Sequence, residues 1–226
     1  MKKMMLILTI FILVLACTVG VYADSTNNEQ VIDLKKSDFN GYLKVEDEQT
    51  VVSKVLTFEE LVERIAKDNN ISKLEATNEI IRNYAKNKIG INSLSTNNLK
   101  ALMSNKTYRV ISSRFTVTSV YKPSLVFYCE TSEGGSFWGI VKILYVGMNR
   151  EYNGIVKQFN GTVYSNLENA GRIFWIVNGD FYDKGTTTFS GGVDIGIGES
   201  ATVKFNLSYS SNYYAYCYEE GSYNIR

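Results

Sequence analysis

Residues 105–226 constrain the fold most, because apolar and polar side chains alternate through them in runs broken by turn-forming pairs. In Ala201-Thr202-Val203-Lys204-Phe205-Asn206-Leu207-Ser208-Tyr209 the apolar residues take every second position, so one face is buried and the other wet. The run Tyr108 to Tyr121 puts Ile111, Phe115, Val117 and Tyr121 on one side and Arg114, Thr116 and Thr118 on the other. Further strands are expected at Leu125–Thr131, Phe137–Val146, Gly161–Asn166, Arg172–Tyr182, Thr186–Ser190 and Tyr213–Tyr218. Asn153-Gly154, Asn160-Gly161, Lys184-Gly185 and Gly191-Gly192 accept positive φ and are expected to separate strands. Asn178-Gly179 falls inside a run, as a bulge or a hairpin turn. About eight strands in this span suit an antiparallel sandwich, and no repeat of solenoid or propeller length is present.

The period changes upstream. Thr57-Phe58-Glu59-Glu60 is a capping box, and Phe58, Leu61, Val62 and Ile65 fall on one helical face up to about Asp68. Ser72-Lys73-Leu74-Glu75 repeats the box after a turn at Asn69-Asn70, and Leu74, Ile80, Ile81, Tyr84 and Ala85 keep helical spacing until Gly90. Residues 94–105 are rich in Ser and Asn and read as a linker. Residues 24–56 read as a polar leader holding at most one short strand. The expected class is therefore α+β, with a signal peptide over 1–23, the leader over 24–56, a helical hairpin and linker over 57–104, and an all-β antiparallel sandwich over 105–226.

Met1-Lys2-Lys3 and the apolar run Met4 to Ala16 have the charged and hydrophobic regions of a secretory signal. Val21-Tyr22-Ala23 predicts cleavage after Ala23 and a secreted, extracellular chain. The competing reading is a lipobox, Val14-Leu15-Ala16-Cys17, with lipid anchoring through Cys17. Leu15 is large for that motif, and Thr18 to Ala23 is too apolar for the tether that follows a lipidated cysteine. Cys129 and Cys217 are the remaining cysteines. They form either a disulfide, which would constrain the unfolded chain by about 4 kcal/mol, or two buried thiols.

The stretch Val51 to Asn87, with its Asn70-Ile71-Ser72 turn, resembles the ribbon-helix-helix DNA-binding pattern. An exported chain meets no chromosome, and Val51-Val52-Ser53-Lys54-Val55 carries a single charge where that family has a basic strand. With a net charge of +1 over the whole chain there is no field for gathering nucleic acid, so the simpler reading is that the two helices pack on each other and on the β region or form a small oligomerisation module. Thr107 to Tyr223, with Phe127-Tyr128-Cys129-Glu130-Thr131-Ser132-Glu133-Gly134-Gly135, Val146-Gly147-Met148-Asn149-Arg150 and Gly192-Val193-Asp194-Ile195-Gly196-Ile197-Gly198, resembles small secreted Gram-positive proteins with an uncharacterised C-terminal β domain. That resemblance implies export and a folded β domain, and brings no catalytic residue.

The chain has no histidine, which removes every catalytic dyad, triad and metal site built on imidazole. A carboxylate-dependent glycan hydrolase would draw on Glu130, Glu133, Asp180, Asp183 or Asp194. No cofactor is expected; calcium is the one alternative, through Asp180, Asp183, Asp194 and Glu199 as hard oxygen ligands. Without histidine, neither cysteine is expected to act as a nucleophile. The marked feature is aromatic: 16 Tyr, 11 Phe and 2 Trp, concentrated in the β region. The last strand places Tyr214, Tyr216 and Tyr218 on one face, suited to a glycan or a protein surface, while Trp138 and Trp175 are expected in the core. The expectation is a secreted non-catalytic binding protein for a cell-surface or extracellular ligand, glycan or protein, with no nucleic-acid partner. A membrane partner enters only if Thr186 to Tyr209 supplies the hairpin of a pore-forming toxin.

Overall fold

The computed structural model describes residues 44–47, 49–86, 96–135 and 137–225. Cys17, Ala23 and Gly90 lie outside the described residues. Within them the chain is mostly antiparallel β with three helices, α1 (Phe58–Asn69), α2 (Lys73–Lys86) and α3 (Thr96–Ser104). The strands are β1 (Lys44–Asp47), β2 (Thr50–Val52), β3 (Thr107–Arg114), β4 (Ser124–Gly134), β5 (Phe137–Asn149), β6 (Glu151–Tyr152), β7 (Ile155–Val156), β8 (Gln158–Asn169), β9 (Arg172–Phe189), β10 (Gly192–Gly196) and β11 (Glu199–Asn224).

Two β assemblies share one core. The first is a six-stranded sheet in the order β1-β2-β3-β4-β5-β10. In the second, β8, β9 and β11 close on themselves: β9 pairs with β8 on one edge and β11 on the other, while the first residues of β11 return to the free edge of β8. Phe205 is the hinge of that closure, facing Gly161 of β8 and Phe189 of β9. Side chains of both assemblies meet in one cluster, including Phe127, Cys129, Ile143, Phe159, Trp175, Val177, Phe181 and Cys217.

The six-stranded sheet is covered on both faces. Every residue of Leu125-Val126-Phe127-Tyr128-Cys129 is buried, with Leu125, Phe127 and Cys129 turned to the closed three-stranded assembly and Val126 and Tyr128 to the helices. A strand buried on both sides reads as a continuous apolar run, and this one does. The helices follow their capping chemistry. Thr57 Oγ1 accepts from Glu60 N at 3.2 Å and Glu60 Oε2 from Thr57 N at 2.8 Å, while Asn70 closes α1 in the left-handed region. Phe58, Leu61, Val62 and Ile65 are buried as spaced.

Several expectations are corrected. Leu74 is 67% exposed, and Ala76 and Thr77 join Ile80, Ile81 and Tyr84 on the buried face of α2. The polar leader does not extend to residue 56: β1 and β2 belong to the six-stranded sheet and Thr50, Val51 and Val52 are buried, so three short apolar-flanked residues suffice when a neighbouring strand supplies the ladder. The linker over 94–105 contains α3, which buries Leu99 and Met103, one turn apart, beside α1 and α2. The strand from Tyr108 stops at Arg114.

Two of the four pairs expected to separate strands, Asn160-Gly161 and Lys184-Gly185, do not, while Gly191-Gly192 stands at the junction of β9 and β10 as expected. Asn160-Gly161 and Asn178-Gly179 lie inside β8 and β9, where Gly161 and Gly179 face each other. A Cβ on Gly161 would stand 2.6 Å from the Gly179 Cα and 2.8 Å from the Phe159 ring, so the glycines make room for an aromatic lying across the strand pair. Lys184-Gly185 likewise runs within β9, so Arg172–Tyr182 and Thr186–Ser190 form one strand, as do Ala201–Tyr209 and Tyr213–Tyr218. Asn153-Gly154, with both φ positive, is a true hairpin turn between β6 and β7.

Candidate functional site

The carboxylates singled out in the sequence are scattered, and four of the five are neutralised. Lys106 Nζ lies 2.5 Å from buried Glu130, Lys142 Nζ 2.6 Å from buried Asp194, and Lys157 Nζ 2.6 Å from Asp183. Arg109 grips Glu133 with two 2.9 Å hydrogen bonds while its guanidinium covers the Trp138 ring at 4.7 Å, and the arginine holds the Glu133 carboxyl below its ordinary range. Asp180 has no ion-pair partner among the described residues. The calcium set does not assemble: Glu199 Oε2 accepts from Gly196 N at 2.7 Å, and no group of three or more acidic or cysteine side chains gathers among the described residues. Of the two readings of the cysteines the structure has the second, since Cys129 and Cys217 are separate buried thiols. Burial pushes the Cys129 thiol far up, and burial followed by the Glu219 charge pushes Cys217 up to about 11, which leaves both poor nucleophiles.

The tyrosine row is real but shifted. A register shift between Tyr213 and Ala215 breaks the alternation, and Tyr214 turns inward. Its ring meets Tyr121 edge-on at 5.8 Å, its hydroxyl lies 3.0 Å from Thr118 Oγ1, and Lys157 Nζ sits 4.1 Å from its centroid. Tyr214 is therefore removed from the candidate contact face. Tyr216 and Tyr218 stay outside, each 55% exposed, with buried Cys217 between them pointing into the core. Tyr209 and Tyr213 are exposed as well.

Pairing across β8, β9 and β11 gives these two rings polar neighbours. Tyr216 faces Asp180, which faces Asn160; Tyr218 faces Asn178, which faces Thr162. Phe159, Val163, Val177, Phe181 and Cys217 turn inward, so by alternation these six residues share the outer surface. The result is two cross-strand rows about 7 Å apart, each carrying a phenol and two polar side chains. Tyr216 donates its hydroxyl to Asn178 Oδ1 at 3.0 Å, which ties the rows together. Gly161 and Gly179 lie on the inner side between them, and Phe159 fills the space they leave. Asn160 and Asn178 are masked in the sequence because Asn-Gly pairs signal turns, and Thr162 reads there as an ordinary strand residue. Only pairing shows them aligned with the tyrosines. Rings flanked by amide, hydroxyl and carboxylate groups can stack on an apolar sugar face while exchanging hydrogen bonds with its hydroxyls.

The segment Thr186 to Tyr209 is divided rather than a single hairpin. Its central strand β10 pairs with β5 and buries Val193 and Ile195 in the shared core. Among the described residues no helix is long and apolar enough to cross a membrane. Compared with known proteins, the chain matches no family model, no curated protein and no solved structure.

Proposed function

We propose that this chain is an exported, non-catalytic binding module that recognises a cell-surface or extracellular glycan on the outer face of β8, β9 and β11. In this reading a helical hairpin precedes a sandwich made of the six-stranded sheet and the closed three-stranded assembly, and the N-terminal signal delivers the chain to the extracellular space. The observation that carries the proposal is the pair of exposed rings, Tyr216 and Tyr218, aligned with Asn160, Thr162, Asn178 and Asp180. A glycan suits this surface better than a protein, because each ring stands beside side chains able to donate to or accept from hydroxyls. The absence of catalysis is supported by the ion pairs that occupy Glu130, Glu133, Asp183 and Asp194, and a hydrolase needs two carboxylates flanking the same bond.

The test is co-sedimentation of the full chain with purified cell-wall sacculi, in parallel with dye-loaded lipid vesicles. The reading expects sedimentation with sacculi, no dye release, and at least a tenfold loss of sacculus binding in the Tyr216→Ala/Tyr218→Ala double variant with an unchanged melting temperature. Unchanged binding by the double variant would refute it. Dye release would put the pore-forming reading in its place.

A further inference from the structure

A second site lies at the other junction of the fold. The turn between α1 and α2, the residue following β5, the start of β8 and the last residues of β9 enclose a cleft of ≈ 460 Å³. Its walls carry Asn70, Glu75, Arg150, Gln158, Thr186 and Thr188, with Tyr145 and Phe189 among its aromatic surfaces. That volume falls within the range of small-molecule pockets.

Arg150 is the unusual member. It is half-buried, and burial lowers the affinity of its guanidinium for its proton, yet no carboxylate lies within ion-pair distance among the described residues. By contrast Lys106, Arg109, Lys142 and Lys157 all have one. Among the described residues its one side-chain hydrogen bond goes from Nη1 to Gln158 Oε1 at 3.2 Å. That oxygen is already engaged by Thr187 N at 3.2 Å and Thr187 Oγ1 at 3.0 Å, so it is a neutral, shared acceptor and not a counter-charge. A guanidinium has five N–H donors in a planar fork, and the remaining ones are not sealed from solvent. A half-buried cation held in place by a neutral amide, with the rest of its fork open to the cleft, is arranged for an external oxyanion.

The lining narrows the class. Threonine hydroxyls, the Asn70 amide and the Glu75 carboxylate line the same cleft as the guanidinium and suit a ligand that carries hydroxyls as well as a negative charge. Glu75 would repel a bare anion but accepts from hydroxyls, which disfavours inorganic phosphate as the occupant. We infer that this cleft binds an acidic saccharide, with the sugar carboxylate on Arg150 and the sugar hydroxyls on the threonine and asparagine wall. None of Tyr209, Tyr213, Tyr216 or Tyr218 lines the cleft, so the inference stands apart from the reading of the outer β face.

Calorimetric titration of the full chain with glucuronate, glucose and inorganic phosphate tests it. Glucuronate should bind at least tenfold more tightly than either of the others, since a charged hydrogen bond adds about a factor of ten or more. Arg150→Lys, which keeps the charge and loses the fork, should weaken glucuronate at least tenfold. Thr186→Val, an exposed wall position that folding does not need, should weaken it several-fold, while Tyr216→Ala/Tyr218→Ala should leave it unchanged. Equal binding of glucose or phosphate, no binding of glucuronate, full retention in both Arg150→Lys and Thr186→Val, or loss in the tyrosine variant would each overturn the assignment.

Discussion

Replacing Gly161 by alanine tests whether the candidate face depends on glycines that let two strands and a ring meet. The added Cβ would lie 2.3 Å from the Asn178 carbonyl oxygen, 2.6 Å from the Gly179 Cα and 2.8 Å from Phe159 Cζ. Two of these three obstacles are backbone, so no rotamer change relieves them. Either β8 and β9 separate or Phe159 leaves its place in the core. Overpacking of a core costs about 1–3 kcal/mol where side chains can move, and lost burial of a phenylalanine costs about 1.5–3 kcal/mol. Removing a glycine from a strand returns about 0.5–1 kcal/mol. The net expectation is destabilisation of about 3 kcal/mol, or a fall in melting temperature of about 6–12 °C for a chain of this size. Gly154→Ala is the control: its φ is +73° with nothing within 4 Å of the added Cβ, so it carries only the left-handed backbone cost of about 1–2 kcal/mol. Differential scanning calorimetry of both variants decides the matter. A fall in Gly161→Ala no larger than that in Gly154→Ala would refute the close-contact argument, and with it the account of how Asn160, Thr162, Asn178 and Asp180 are aligned.

Two further outcomes follow from buried titratable groups. Burial raises the phenols of Tyr108, Tyr121, Tyr128 and Tyr145 above their ordinary 10.0; burial lowers Lys106, but its Glu130 partner outweighs this and the net shift is upward from 10.5. Groups raised in the folded state contribute stability that is complete below the unfolded value and lost as the pH climbs past it. The melting temperature should therefore hold to about pH 9.5 and then fall, as stability is lost at up to about 1.4 kcal/mol per pH unit for each group. Thermal melts from pH 8 to 11.5 check this, and a flat profile to the upper limit would contradict it. Cys129 and Cys217 should resist alkylation at pH 8 in the native chain and label rapidly in denaturant, and dithiothreitol should leave the melting temperature unchanged. Peptide mass spectrometry after labelling is the readout, with a Cys129–Cys217 linked peptide as the contrary result.

Wherever the cause of structure is local, the sequence declares it. The capping box at Thr57 and the apolar spacing of Phe58, Leu61, Val62 and Ile65 mark α1 without help from elsewhere, because the hydrogen bonds and the buried face are set within a few residues. Alternation identifies the strands, and the unbroken apolar run of β4 reflects a sheet covered on both faces. Thr96–Ser104 was hidden by its Ser and Asn content, since a helix held by Leu99 and Met103 against α1 and α2 owes its stability to packing, not to propensity.

What the sequence by itself determined is the β-rich class, the two leading helices, the absence of imidazole chemistry and the aromatic supply. What only the tertiary structure decided is which of those aromatics face outward and what stands beside them. One register shift after Tyr213 sends Tyr214 inward while leaving Tyr216 and Tyr218 outside, and no pattern of period two shows where such a shift falls. The Asn-Gly pairs have the same local chemistry in a turn as in a strand where two glycines oppose each other beneath a ring. The partner strand chooses between them, and with that choice aligns Asn160 and Asn178 with the tyrosines. Arg150 is an ordinary residue in the chain and a cation without an ion-pair partner among the described residues of the fold, because only long-range packing sets which carboxylates each cation can reach.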